Sequence, residues 1–331
     1  MSIIPQAREN VNTDKSLLKW QQKKTSAIKM AEKMAAVPRL RARAARMQHC
    51  GDMVFFRWCP KCGHSHGVAG GMCRDRLCPL CEWRLSMTRY SQMLAVFDVL
   101  HDRFISGNMF ASMLTLTVRN VPVSRLRQTL IKFTEAWRAV LRRACMKPIV
   151  GWARNIEITR NEKTGEYHPH VHILLLWEKQ PNVNIDEIAV GIVNEWDKQM
   201  HLEYRSIWNH KIAYTKTAAV DYINDPRTAA QCAAAEAAMY TLSSNTILNI
   251  PTNEIEAFAA AVAGVRMTGY GGCIKSARKL LDLRDDEPAA EAEADLNKCP
   301  KCGEQMQAAV LEWVGGTYRP SESPFEKGAR K

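Results

Sequence analysis

The sequence predicts an α+β protein, an antiparallel sheet covered by helices on one face and joined to a small module that a metal would staple. Three observations carry that expectation. Apolar strands and amphipathic helices alternate through the middle of the chain in the order β-α-β-β-α-β. Cysteines crowd residues 50–81, where hydrophobic periodicity is weak. Basic residues collect at the N-terminus, with eleven Lys/Arg against three Asp/Glu in residues 1–50.

The 331 residues suffice for a catalytic core with small appendages. An apolar fraction of 46% without any run of about 18 apolar residues fits a globular chain with no membrane span. No secretory signal is legible near Arg8, Asp14, Lys15 and Lys19, so a cytoplasmic location is expected. In a reducing compartment, eleven cysteines favour metal ligation over disulfides. The net charge of +12 points to a polyanion, and Lys23, Lys24, Arg39, Arg41 and Arg43 are the candidate DNA contacts.

Good helix formers over Lys15 to Ala36, with Leu17, Leu18, Ile28 and Met34 on one side, predict a basic helix ended by Pro38. Glu82 to Phe104 predicts a helix connecting the cysteine-rich segment to the main domain. Strands are expected at Phe110 to Val118, Trp152 to Thr159, His168 to Trp177 and His210 to Tyr214. Helices are expected at Ser124 to Ala144, Ile185 to Met200, Thr228 to Ser243, Glu254 to Val262 and Lys275 to Leu283. Asn161 to Gly165 is a hairpin turn between two of the strands. The order is that of a ferredoxin-like split unit. The expected divisions are a basic helix at 1–48, a cysteine-rich zinc module with its connecting helix at 49–90, the main domain at 91–284, an acidic linker at 285–297, and a tail at 298–331 with a lone Cys-x2-Cys.

Cys59-x2-Cys62 and Cys78-x2-Cys81 have the spacing of a structural zinc site, four thiolates closing a tetrahedral shell. Cys50, Cys73, His64 and His66 stand nearby as alternative ligands, and Cys299-x2-Cys302 is half of such a site.

Along Tyr167-His168-Pro169-His170-Val171-His172 a strand would project His170 and His172 the same way, about 6.6 Å apart along the backbone. Glu157, alternating with Ile156 and Ile158 on the hairpin partner, supplies a carboxylate beside them. Two imidazoles and a carboxylate suit Mg²⁺, Mn²⁺ or Zn²⁺ acting on a phosphate. Glu236 and Tyr240, four apart on an Ala-rich helix, place a carboxylate beside a phenol that is able to attack a phosphodiester.

Together these residues resemble the HUH endonuclease superfamily, in particular the replication initiators of small rolling-circle plasmids. Leu114-Thr115-Leu116-Thr117 is similar to the first motif, His168-Pro169-His170-Val171-His172 to the metal motif, and Glu236 with Tyr240 to the third. Cys78-Pro79-Leu80-Cys81 with Arg84, and Arg266 with Gly269-Tyr270-Gly271-Gly272 and Lys275, resemble flanking segments. The resemblance implies an HUH-type domain at 91–284 that nicks and rejoins single-stranded DNA at an origin. In it His170, His172 and Glu157 would hold Mg²⁺ or Mn²⁺, Tyr240 would form a 5′-phosphotyrosine, and Glu236 would activate water. Relatives have Lys before the tyrosine, where this chain has Met239. Implied partners are duplex and single-stranded origin DNA and a host helicase and polymerase, since no Walker A pattern is present. The alternatives are a histidine-triad nucleotide hydrolase and a non-enzymatic, zinc-dependent DNA-binding regulator.

Overall fold

A computed structural model describes residues 15–106, 108–178, 184–204, 244–284, 298–299 and 301–321. The chain divides into two compact units, Met1–Trp83 with Ala290–Lys331, and Arg84–Ala289.

In the first unit, α1 (Lys15–Ala35) and α2 (Arg41–Gln48) precede β1 (Met53–Trp58) and β2 (Ser65–Gly70), and α3 (Pro79–Val99) begins here. The segment expected as a tail instead supplies β7 (Gln307–Val314) and β8 (Thr317–Pro320), completing an antiparallel sheet in the order β2-β1-β7-β8. Its partners are distant in sequence, Met53 opposite Glu312 and Trp58 opposite Gln307. Gly315 and Gly316, both with positive φ, make the β7–β8 turn, and buried Tyr318 donates from its hydroxyl to Gly51 O at 2.6 Å. The cysteine-rich segment therefore does have an apolar core, built from Val54, Phe56, Leu77, Leu80 and Leu311. The buried stripe of α1 runs Leu17, Trp20, Ala27, Met30 and Met34, at helical spacing, while Leu18 is exposed.

In the second unit, after α4 (His101–Ile105), come β3 (Met109–Thr117), α5 (Val123–Val140), β4 (Ile149–Arg160), β5 (Tyr167–Glu178) and α6 (Ile185–Tyr204). These are followed by α7 (Ser244–Leu248), α8 (Ile255–Val262), β6 (Thr268–Gly271) and α9 (Gly272–Leu280). The sheet order is β3-β5-β4-β6, with every neighbouring pair antiparallel. Thus β3 and β4 run in the same direction with β5 inserted between them, which is the split β-α-β arrangement. The strand expected at His210 to Tyr214 and the helix at Thr228 to Ser243 lie outside the described residues. On the free edge of β4 stands β6.

Helices cover both faces, where one was expected. On one face Trp152, Ile156, Val171 and Ile173 meet α5, α6 and α8, with rings of Trp137 and Trp152 at 5.3 Å, Phe133 and Trp196 at 5.0 Å, and Tyr167 and Phe258 at 5.0 Å. On the other, Ala153, Leu174 and Leu176 pack with Met93, Val96 and Phe97 of α3 and Ile274 and Ala277 of α9. Each such fully buried aliphatic side chain stabilises by about 1.5–3 kcal/mol. Beyond Leu174 on that second face the strand turns polar, and His172 and His170 are only partly buried.

Candidate functional site

The second face of the sheet ends in a cluster of Glu157, His170 and His172, whose ligand atoms all lie within 4.8 Å of one another. Register builds it. Glu157 stands opposite His170 on β4, and Thr115 and Thr117 of β3 stand opposite His172 and His170. Side chains two apart share a face, so all five point the same way.

Glu157 Oε2 is 3.1 Å from Nε2 of both His170 and His172. The Nδ1 atoms are engaged elsewhere, on Thr115 Oγ1 at 3.1 Å for His172 and on the His168 carbonyl at 3.3 Å for His170. With Nδ1 engaged on those oxygens, Nε2 of each ring is the atom that faces the cluster, donating to Glu157 when it carries a proton and open to an ion when it does not. Donor atoms about 3 Å apart match adjacent ligands of an octahedral ion with bonds near 2.1 Å, so the residues fit a divalent ion. Burial would raise the Glu157 carboxyl, but hydrogen bonds and charge from the two histidines outweigh it and hold its pKa at about 2. Burial, with His170 alongside, lowers that of His168, whose Nε2 contacts Thr117 Oγ1. The two threonines were within reach of sequence reasoning, since they alternate with Leu114 and Leu116 in step with the histidines. Tyr240 and Glu236 lie outside the described residues.

The cysteines correct the expected single site. Cys59 and Cys62 do not meet Cys78 and Cys81 in one cluster. Instead Cys59 and Cys62 join Cys299 and Cys302, while Cys78 and Cys81 join Cys50 and Cys73. The cause is strand pairing, because β1 delivers Cys59 beside the segment that leads into β7. The repeated Cys-Pro-Lys-Cys-Gly forms two equivalent knuckles. Cys59 N donates to His64 O at 2.8 Å and Gly63 N to Cys59 O at 3.0 Å, matched by Cys299 N to Glu304 O and Gly303 N to Cys299 O, both 2.8 Å. Gly63 and Gly303 hold positive φ values of 66° and 72°, which glycine adopts without strain. Sulfur separations are 3.5 Å for Cys59–Cys302, 3.4 Å for Cys62–Cys299, 3.5 Å for Cys50–Cys81 and 3.6 Å for Cys78–Cys50. Tetrahedral zinc with 2.3 Å bonds would set them roughly 3.8 Å apart, so both clusters fit a structural ion.

Two of the expected DNA contacts are committed internally. Lys24 is fully buried in the α1 stripe, its ammonium donating to Gln48 O at 2.7 Å, Cys50 O at 3.0 Å and Asp52 Oδ1 at 2.5 Å. Arg43 makes a two-pronged pair with Asp75 at 2.7 and 2.8 Å. Lys23 is half-buried, and burial together with Lys19 lowers its pKa. Arg39 and Arg41 are exposed.

The chain is 28% identical over 319 residues to a "Protein rep" of Lentilactobacillus hilgardii, covering 92% of this chain and 95% of that one. It is 29% identical over 310 residues to a "Protein rep" of Lactiplantibacillus plantarum, with coverages of 89% and 92%, and 28% identical over 285 residues to one of Bacillus amyloliquefaciens, with 81% and 83%. No solved structure matches it. The family model described as replication protein matches residues 67–319, more than three quarters of the sequence and all of the histidine cluster, and the chain belongs to that family.

Proposed function

We propose that this chain starts rolling-circle replication of a plasmid by nicking, and later rejoining, one DNA strand at the origin. The observation that carries the reading is the convergence of His170 Nε2 and His172 Nε2 on one oxygen of Glu157, in a member of the replication protein family. A divalent ion there, Mg²⁺ or Mn²⁺, would supply Lewis-acid polarisation of the scissile phosphate. Thr115 and the His168 carbonyl fix the ring orientations that such binding requires.

The Tyr240 hydroxyl attacks phosphorus, forming the tyrosyl O–P bond as the bond to the 3′ oxygen breaks. That oxygen departs and takes a proton, leaving a free 3′-OH to prime synthesis and a 5′-phosphotyrosine on the protein. Glu236 takes a proton from the water of the terminating cleavage. Zinc in the two cysteine clusters holds the smaller unit, whose exposed Arg39 and Arg41 grip duplex DNA in the cytoplasm, and a host helicase and polymerase extend the primer. A histidine-triad hydrolase would need His170 free to attack, whereas its Nε2 is turned onto Glu157.

The test is incubation with supercoiled origin plasmid and Mg²⁺ or Mn²⁺. Nicked circles bearing protein covalently on the 5′ end support the reading. Binding without a covalent adduct, or release of free nucleotides, overturns it.

A further inference from the structure

A cavity of about 580 Å³ opens at the β6 edge of the second unit's sheet, between α5, β4, β6 and α9. Trp152 and Arg154 reach it from the face away from Glu157, since they lie opposite Leu175 and Ile173, whereas Tyr270 stands opposite Ala153 on the face of Glu157. The volume is that of a small-molecule site. Among the described residues its lining holds seven Lys or Arg side chains and no acidic one. Arg138, Arg266 and Lys275 are exposed at the rim. Trp137 and Trp152 give it aromatic surface from one side of the sheet and Tyr270 from the other.

Arg154 is the informative member. It is 5% exposed, and among the described residues its Nη2 has only two long contacts at 3.4 Å, to Thr134 Oγ1 and Arg266 O, and its buried Nη1 has no partner. Burial, with Arg266 and Arg138 adding positive charge, lowers its pKa to about 10. A guanidinium buried without a counter-charge is destabilising, and an anion is what offsets that cost. The chain also clears space for this side chain. A Cβ at Gly269 would come within 3.2 Å of Arg154 Nε, and one at Gly271 within 2.2 Å of Trp152 Nε1. Glycines at these two positions of β6 let arginine and tryptophan lie across the strand.

We propose that this cavity is a second nucleic-acid site, separate from the histidine cluster, which binds a nucleotide phosphate among Arg138, Arg154 and Arg266 with its base against the cavity's aromatic side chains. Arginine forks suit phosphate oxygens, and base–aromatic stacking tolerates any sequence. The phosphate belongs either to a strand running past the cavity or to a free nucleotide.

The test is fluorescence anisotropy on the full chain, using labelled oligothymidylate without divalent ions, so that neither cleavage nor the histidine cluster contributes. Arg138→Ala and Arg266→Ala remove exposed charges and leave the fold intact. Each should weaken binding about tenfold and lower the salt slope by roughly one. Lys198→Ala, an equal charge loss on α6, should change affinity less than about twofold. Displacement of the oligonucleotide by thymidine monophosphate identifies the free nucleotide as the source, and retention under excess monophosphate identifies the strand. Unchanged affinity in both arginine variants, or an equal loss in Lys198→Ala, overturns the proposal. Because the readout needs no cleavage, its failure is distinguishable from failure of the nicking chemistry.

Discussion

Cys59 and Cys302 are separated by 243 positions in sequence, yet their sulfur atoms stand 3.5 Å apart. Strands β1 and β7 are therefore tied at a point where metal binding would be part of folding. Purified protein should contain about two zinc ions per chain by emission spectroscopy, and Cys302→Ser about one. The variant loses binding energy on the order of 10 kcal/mol from that module, so β1 and β7 should lose hydrogen-exchange protection while β3 to β5 keep theirs. One zinc in the native protein would refute the division into two clusters.

Lys24 and Arg41 separate structure from DNA contact. Lys24→Met leaves the Gln48 and Cys50 carbonyls and Asp52 without their donor and should cost on the order of 3 kcal/mol, seen as a lower midpoint in urea. Arg41→Ala should leave that midpoint within about 0.5 kcal/mol and reduce duplex affinity and its salt dependence. Equal loss of DNA binding from a fully folded Lys24→Met protein would contradict the burial of that lysine.

Thr115→Val removes the hydroxyl that holds His172 Nδ1 and keeps the shape of the side chain. The Mn²⁺ concentration giving half-maximal cleavage should rise about 10- to 100-fold while cleavage at saturating ion recovers. Glu157→Gln should abolish cleavage at any ion concentration. A threonine variant with an unchanged ion requirement would remove that residue from the site.

Tyr240→Phe deletes only the attacking oxygen. Nicking and the covalent adduct should fall below detection while affinity for single-stranded DNA stays within about twofold. An adduct that persists and maps to another tyrosine by peptide sequencing would transfer the role there.

What the sequence made legible were features with a short period. The alternation through Ile156-Glu157-Ile158 and His170-Val171-His172 reports its own face, so the three-residue cluster follows once the hairpin is recognised. The grouping of cysteines was not legible, because spacing identifies knuckles and says nothing about which distant knuckle strand pairing will bring alongside. Lys24 was misread for a related reason. Charge suggests surface, but its buried position follows from α2 and Asp52 folding back to meet the ammonium. Likewise β6 is four residues with two glycines, below the length at which alternation is visible, and only the free edge of β4 gives it a place.

Because the smaller unit takes strands from both ends of the chain, it carries a timing constraint. Cys62 leaves the ribosome 237 residues ahead of Cys299, whose sulfur stands 3.4 Å from it in the finished module. At roughly 5–20 residues per second that gap is on the order of ten to fifty seconds. For that interval two thiols wait without their partners, and β1, paired with β2 on one side, keeps its other edge open. Residues 84–289 are completed within the same interval. The unit encoded first is thus the last to close, and a ribosome stalled late in the message would release a chain with its histidine strand already made and its first metal knuckle still open.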